Sequence, residues 1–301
     1  MIFLCVAKIE RRPGYFVSCR SKESAFQSRN PQEMSASAIT VVCNGVAVPL
    51  ECHPSHPGLD LERCKNAKPF VDWLAGLDPG LKVSKIVVHD IDYFGPRVGF
   101  LKLEAVTKCN GEPVPGIIFM RGGAVSILVR LLCEGVWYIV GARQARVPVG
   151  KENLLELPAG MIDDAGDPVG VGVKELAEET GIVLKKKDLV DLTALAYEQS
   201  GPDVHADEVL AAPIRNKSTP LRGMYPSAGG SDEFLRLYLH EREVTRAELD
   251  AMQGKATGCL EEGEKIVMEI IRADLFWRVC SDAKALSSLL LFQNLRAAGQ
   301  I

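Results

Sequence analysis

Leu154-Leu155-Glu156-Leu157-Pro158-Ala159-Gly160, a connecting stretch, and then Lys174-Glu175-Leu176-Ala177-Glu178-Glu179-Thr180-Gly181-Ile182 form the part of the chain that decides its fold. The second half has helical spacing. At about 100° per residue, Glu175 and Glu179 project from one face, Glu178 lies beside it, and Val169, Val173 and Leu176 form the opposite apolar stripe. Asp167 suits an N-cap, Pro168 a first helical position that tolerates a missing N–H, and Gly181 a left-handed C-cap. Gly170 and Gly172 weaken the first turns by about 1 kcal/mol each against alanine, which points to close packing or a later helix start. Like charges four residues apart cost roughly a few tenths of a kcal/mol on a solvated helix. A hard divalent cation reverses that sign, because magnesium is held by one or two carboxylates together with substrate phosphates. The helix face alone leaves both readings open, a charged surface or a metal seat.

The flanks add a pattern. The segment resembles the Nudix box, the sequence mark of hydrolases that cleave nucleoside diphosphates linked to another group. In that box a glycine is followed after five residues by a glutamate. Seven residues further come Arg-Glu, an aliphatic, any residue, Glu-Glu, any residue, Gly and an aliphatic. Gly160 opens it here and Lys174 to Ile182 close it at the right spacing. Gly166 stands where the first glutamate belongs, with Asp167 one residue late, and Lys174 replaces the arginine. The family's arginine pairs with the middle glutamate, and Lys174 can still reach Glu178 at i+4.

Composition bounds the alternatives. The chain has 301 residues with 47% hydrophobic content, enough to bury a sizeable core in one large or two modest domains. A net charge of −4 and a pI near 5.8 argue against a general binder of nucleic acid or membrane surfaces. No apolar run approaches the 18 or so residues that a membrane span needs. The nine cysteines are odd in number and contain no CxxC, which favours a reduced, cytoplasmic protein with free thiols. Residues 1–38 hold more basic than acidic residues and many serines, so a flexible leader or an organelle-targeting segment, mitochondrial for example, is expected there.

Along the chain, Asn44-Gly45 between two β-branched runs predicts a tight hairpin, and Phe70 to Leu77 a short helix. Lys85 to Tyr93 and Val98 to Thr107 read as strands, as do Ala124 to Leu132 and Val136 to Gln144, the latter pair turning at Glu134-Gly135. Phe234 to Glu241 and Glu264 to Arg272 read as strands, Val244 to Met252 and Asp274 to Ala298 as helices, and the polar segment Glu198 to Gly223 as an insertion. The expected organisation is a leader at 1–38, a β-rich domain at 39–113 and a larger α/β domain at 114–301.

Beyond the box the wording is similar to the plant-type ADP-sugar pyrophosphatases. The matching phrases include Asp92-Tyr93-Phe94-Gly95, Gln144-Ala145-Arg146-Val147-Pro148, Tyr225-Pro226-Ser227-Ala228-Gly229-Gly230-Ser231-Asp232-Glu233 and Gln253-Gly254-Lys255. The resemblance implies an α/β/α sandwich with a mixed sheet, a smaller N-terminal β domain, and a homodimer in which that domain helps build the partner's site. It further implies that Glu175 and Glu179, with the Ala159 carbonyl, bind magnesium or manganese. Glu178 would be a further ligand or the partner of Lys174. Arg146 would hold the diphosphate, where a planar guanidinium fork matches phosphate oxygens, and Glu156 would meet metal or substrate. Asp232 or Glu233 would activate water, with Glu233 favoured by its reach and Glu178 next in line. Tyr93, Phe94 or Phe100 would stack on adenine. The implied reaction is hydrolysis of ADP-ribose or ADP-glucose to AMP and a sugar phosphate. Two alternatives stand beside it: a pyrophosphatase on another nucleotide sugar such as UDP-glucose, and a catalytically silent nucleotide-sugar sensor.

Overall fold

Asn44 and Gly45 both take left-handed backbone, with φ of 49° and 78°, as a two-residue hairpin turn requires. They join β1 (Ile39–Cys43) to β2 (Val46–Cys52) in a computed structural model that describes residues 39–162, 167–197, 222–258 and 265–301. The expected leader lies outside the described residues, and so does the expected insertion apart from Arg222 and Gly223.

After β2 the chain makes α1 (Leu61–Asn66) and α2 (Lys68–Ala75) and returns as β3 (Leu81–Phe94), parallel to β2. A parallel pair needs such a crossover, since a tight turn can join only antiparallel strands. β4 (Arg97–Cys109) pairs antiparallel with β3, and both β5 (Glu112–Val114) and β6 (Ile117–Met120) pair with β4. Ile86, Val88, Leu101 and Leu103 alternate along β3 and β4 and close over Phe70 and Met120 to form the core of this first sheet. The sheet changes between Met120 and Ala124. The boundary expected at residue 113 therefore falls earlier than this change, because the ladder to β4 keeps β6 with the first sheet.

Gly116 lies between β5 and β6, where its carbonyl accepts from the Ala105 amide at 2.8 Å. A Cβ there would press on the Ala105 carbonyl oxygen, which is backbone and cannot swing away. Gly116→Ala is expected to cost about 1–3 kcal/mol or more, the range for overpacking. Urea unfolding measures this, and an unchanged midpoint would contradict the packing described.

The second sheet runs β11 (Val190–Asp191), β12 (Leu235–Glu243), β7 (Ala124–Cys133), β8 (Val136–Arg146), β14 (Ile266–Arg272) and β13 (Ala256–Thr257). β10 (Ala159–Met161) pairs with β7 and β9 (Lys151–Glu156) with β8. β12 runs parallel to β7 and the remaining pairs are antiparallel, so the sheet is mixed as expected.

Strand β7 is buried on both faces, as expected of a strand covered on both sides, and Ser126 and Arg130 are its polar residues. Val125, Ile127, Val129 and Leu131 point to α3 (Pro168–Thr180) and α5 (Arg246–Met252), meeting Val171, Leu176 and Leu249. Ala124 and Leu128 point the other way, to Leu192 of α4 (Leu192–Tyr197), Phe276 of α6 (Ala273–Val279) and Phe292 of α7 (Ala283–Ala297). Period-two alternation thus fixes the helix–sheet–helix layering.

The helix expected from Asp274 to Ala298 is two helices. Asp282 breaks it, capping α7 by accepting from the Lys284 amide at 3.1 Å, while the Cys280 thiol donates to the Leu155 carbonyl at 3.3 Å. A side chain that satisfies exposed helix-end amides competes with continuing the helix. The box helix behaves as its sequence predicts. Asp167 accepts from the Gly170 amide, Pro168 is the first residue, and Gly181 ends the helix at φ 73°. Gly172 is there for close packing, since a Cβ would come within 3.3 Å of Ile127 Cδ1.

Candidate active site

The segment between β9 and β10 changes strand partner within three residues. Glu156 pairs with Ala142 on β8, and Ala159 pairs with Ser126 on β7. Pro158 between them cannot donate, but its carbonyl accepts from the Ile127 amide at 3.0 Å and from Ser126 Oγ at 3.2 Å. The turn is thereby fixed by the central strand.

Helix α3 lays its two i, i+4 carboxylates on this turn. The Ala159 amide donates to Glu179 Oε2 at 3.1 Å, and Glu179 is only 3% exposed. Glu175 rests on Gly160, where a Cβ would overlap its Cγ and carboxyl carbon. The opening glycine of the box is therefore explained by contact: no other residue leaves Glu175 its place. Glu178 points away and sits 3.7 Å from Lys174 on the exposed side. Thr257 Oγ1 donates to the Glu179 carbonyl, which ties the last turn of the helix to β13.

Among the described residues, no three His, Cys, Asp or Glu side chains are already gathered as a ligand set. The donor chemistry nonetheless fits a hard divalent cation, since Glu175 and Glu179 present carboxylate oxygens over one short stretch of backbone.

Beside this seat lies a chain of alternating charges. Arg146 Nε donates to Glu156 Oε2 at 2.6 Å, and Lys284 Nζ donates to Glu156 Oε1 at 2.8 Å and to Asp282 Oδ1 at 2.9 Å. Asp282 Oδ2 accepts in turn from the Leu157 amide at 3.4 Å. Burial pushes the Glu156 carboxyl up, but Lys284 and Arg146 outweigh it and hold it below its ordinary value of 4.5. A carboxyl depressed by folding stabilises above its unfolded pKa and loses that contribution as pH falls through the folded value. Between neutral pH and acid, the melting temperature of the wild type should therefore fall more steeply than that of Glu156→Gln. Parallel pH profiles for the two proteins would contradict this pairing.

The two loop acids sit at the start of β7, on the side opposite Met161. Ala124 pairs with both Met161 and Leu235, and its amide donates to the Phe234 carbonyl at 2.8 Å. Asp232 accepts from the Arg121 amide at 2.8 Å and from the Gly122 amide at 3.2 Å. Its burial raises its pKa against the pull of those amides. Glu233 instead lies 3.4 Å from Arg121 Nη1. Two backbone contacts anchor the loop that carries them, the Ser227 carbonyl accepting from the Ser231 amide at 3.0 Å and the Gly230 carbonyl from the Phe119 amide at 2.8 Å.

Of the expected aromatic residues, Phe100 joins this group, its ring 5.1 Å from Phe119 and 4.8 Å from Phe94. Tyr93 is exposed and lies under Arg63 at 5.2 Å. The structure thus brings Glu175 and Glu179 to Ala159–Gly160, joins Arg146 to Glu156, and places Asp232 and Glu233 at the entry of the same central strand. Lys284, Asp282 and Arg121 join the site although their sequence context does not mark them as site residues. An aspartate two residues before a lysine, opening an apolar stretch, was the available sign of the first two, and the single long helix read over it concealed the cap.

No protein-family profile matches the chain. Curated relatives do. It is 38% identical over 243 residues to the Arabidopsis thaliana protein named Nudix hydrolase 14, chloroplastic, across 77% of this chain and 72% of that one. It is 47% identical over 77 residues to the Caenorhabditis elegans protein named Putative nudix hydrolase 2, across 26% of this chain and 32% of that one. It is 33% identical over 117 residues to the Bacillus subtilis ADP-ribose pyrophosphatase, across 39% of this chain and 58% of that one.

Proposed function

Because the chain belongs to the Nudix hydrolase superfamily, we propose that it hydrolyses the diphosphate of ADP-sugars such as ADP-ribose and ADP-glucose, with magnesium, to AMP and a sugar phosphate. The observation that carries this reading is the placement of Glu175 and Glu179 on the Ala159–Gly160 turn, three residues from the Arg146–Glu156 pair. A diphosphate repels a nucleophile and leaves as an anion, so its charge must be met at fixed positions. Glu175, Glu179 and the Ala159 carbonyl would hold magnesium, or manganese in its place. A cation bound there supplies charge neutralisation and a more acidic water.

Arg146 binds the diphosphate in this reading. Its Nε is taken by Glu156, and among the described residues its terminal nitrogens have no hydrogen-bond partner. Glu156 thus aims the fork. Glu233 takes the proton of the attacking water, because Asp232 is committed to two backbone amides. Phe100, with Phe94 and Phe119, offers an apolar aromatic surface suited to a base. The reading includes a homodimer, supported by exposed Ile117 and Phe119 on the short strand β6 and checked by the mass of the protein in solution. It is placed in the cytoplasm, and imaging of the tagged full chain would show an organelle instead if residues 1–38 direct it there.

Arg146→Ala is expected to raise KM for ADP-ribose, since a charge-assisted contact contributes about 1.5–3 kcal/mol. A folded Arg146→Ala protein with unchanged KM would remove the arginine from the substrate site. The function itself is tested by turnover of ADP-ribose, ADP-glucose and UDP-glucose side by side. AMP release from the ADP-sugars, lost on chelation, supports the reading. Preferred cleavage of UDP-glucose moves the substrate to another nucleotide sugar, and no turnover of any of them leaves a sensor.

A further inference from the structure

We propose that Lys284 is a positioning residue of the substrate site, fixing Glu156 and, through it, the Arg146 guanidinium. The inference rests on the reading of Arg146 as a phosphate-binding residue. Lys284 is the second residue after the α7 cap, and its side chain is 17% exposed, with those of Glu156 and Asp282 at 6% and 7%. An ammonium in such a place must spend its donors on fixed acceptors. Two go to carboxylates, Glu156 Oε1 at 2.8 Å and Asp282 Oδ1 at 2.9 Å.

Each of those carboxylates uses its second oxygen on the site. Glu156 Oε2 takes Arg146 Nε, and Asp282 Oδ2 takes the amide of Leu157, two residues before Ala159. The order Arg146, Glu156, Lys284, Asp282 alternates in sign and sums to zero, which makes the whole row tolerable in a buried setting. Lys284 is the one member that touches both carboxylates. Without it, Asp282 would lose its cation, and Glu156 would keep only Arg146 and lose the second contact that sets its orientation.

α6 and α7 are already held by Phe276, Phe292 and Leu295 in the core and by the Cys280 contact to Leu155. The net of Lys284 faces the other way, toward residues that meet substrate. Arg146 is 38% exposed at its side chain, so its guanidinium reaches the surface while Glu156 beneath it does not. A surface cation directed from below by a buried acid, itself directed by a buried lysine, is the arrangement that holds a binding geometry without contacting the ligand.

The test is steady-state kinetics of Lys284→Met on ADP-ribose with magnesium, alongside thermal melting. KM should rise about tenfold or more, the effect of losing an outer partner of a site residue, with a smaller change in kcat. Lys284→Arg should recover most of the lost KM. Because Lys284 acts through Glu156, Glu156→Gln/Lys284→Met should show the same KM as Glu156→Gln alone. A folded Lys284→Met with wild-type KM overturns the proposal, and so does a double variant whose KM rises beyond that of Glu156→Gln. Should Lys284→Met fail to fold, the double variant, which removes both buried charges together, decides on the same criterion. A wild-type chain that leaves ADP-ribose intact sinks the substrate reading alone. Positioning is then read from the calorimetric Kd for inorganic pyrophosphate, which must weaken about tenfold in Lys284→Met and overturns the proposal if unchanged.

Discussion

Glu179→Gln is expected to keep the fold and lose turnover by about 100-fold or more, since loss of an outer partner alone costs up to that much at a metal site. The substitution preserves shape and removes one negative charge. Gln can still accept from the Ala159 amide, so the contact that seats the side chain survives. Glu179 is buried, and its carboxylate must be desolvated in the free protein beside Glu175 four residues away. A neutral amide relieves both costs. Melting temperature without metal should therefore hold or rise while ADP-ribose turnover collapses. Near-normal turnover at saturating magnesium would remove Glu179 from the metal seat.

The second large effect concerns the acid that takes the proton from water. Glu233→Gln should lower kcat by about 10²–10⁴-fold with little change in KM, as expected for a general base. Asp232→Asn should act differently. Asp232 receives the Arg121 and Gly122 amides and fixes the entry to β7, so its loss should lower stability by about 1–3 kcal/mol, the cost of unmaking buried hydrogen bonds. Arg121 matters to both. It donates its amide to Asp232, its Nη1 lies 3.4 Å from Glu233, and its Nε is buried with no partner among the described residues. If neither substitution lowers kcat by more than about tenfold, the base lies elsewhere, and Glu178 is the next residue to replace.

The box helix was legible because its signals are local. Asp167, Pro168 and Gly181 specify its ends by cap chemistry, and apolar spacing specifies its buried face. The Asn44-Gly45 hairpin and the β7–β8 pair were legible for the same reason, turn residues between β-branched runs. Non-local partners were not. Nothing near Gly160 says that Glu175 will press on its Cα, and nothing near Lys284 says that Glu156 lies 2.8 Å away. The first contact exists because α3 packs on β10, and the second because the sheet brings β9 and α7 together across 128 residues of chain. The break at Asp282 was hidden by the same cause. Its second oxygen is satisfied by Leu157, a residue remote in sequence, and helical propensity alone favours running through.

Glu175 and Glu179 on the Ala159–Gly160 turn are proposed to seat a divalent cation. Direct titration of Mn²⁺, followed by the electron-spin-resonance signal of the free ion, tests it without any assumption about substrate. Wild-type protein is predicted to remove Mn²⁺ from solution at a saturable site, and Glu175→Gln and Glu179→Gln to weaken that binding about 100-fold or more while melting like the wild type. Unchanged Mn²⁺ binding in both folded variants would contradict the account.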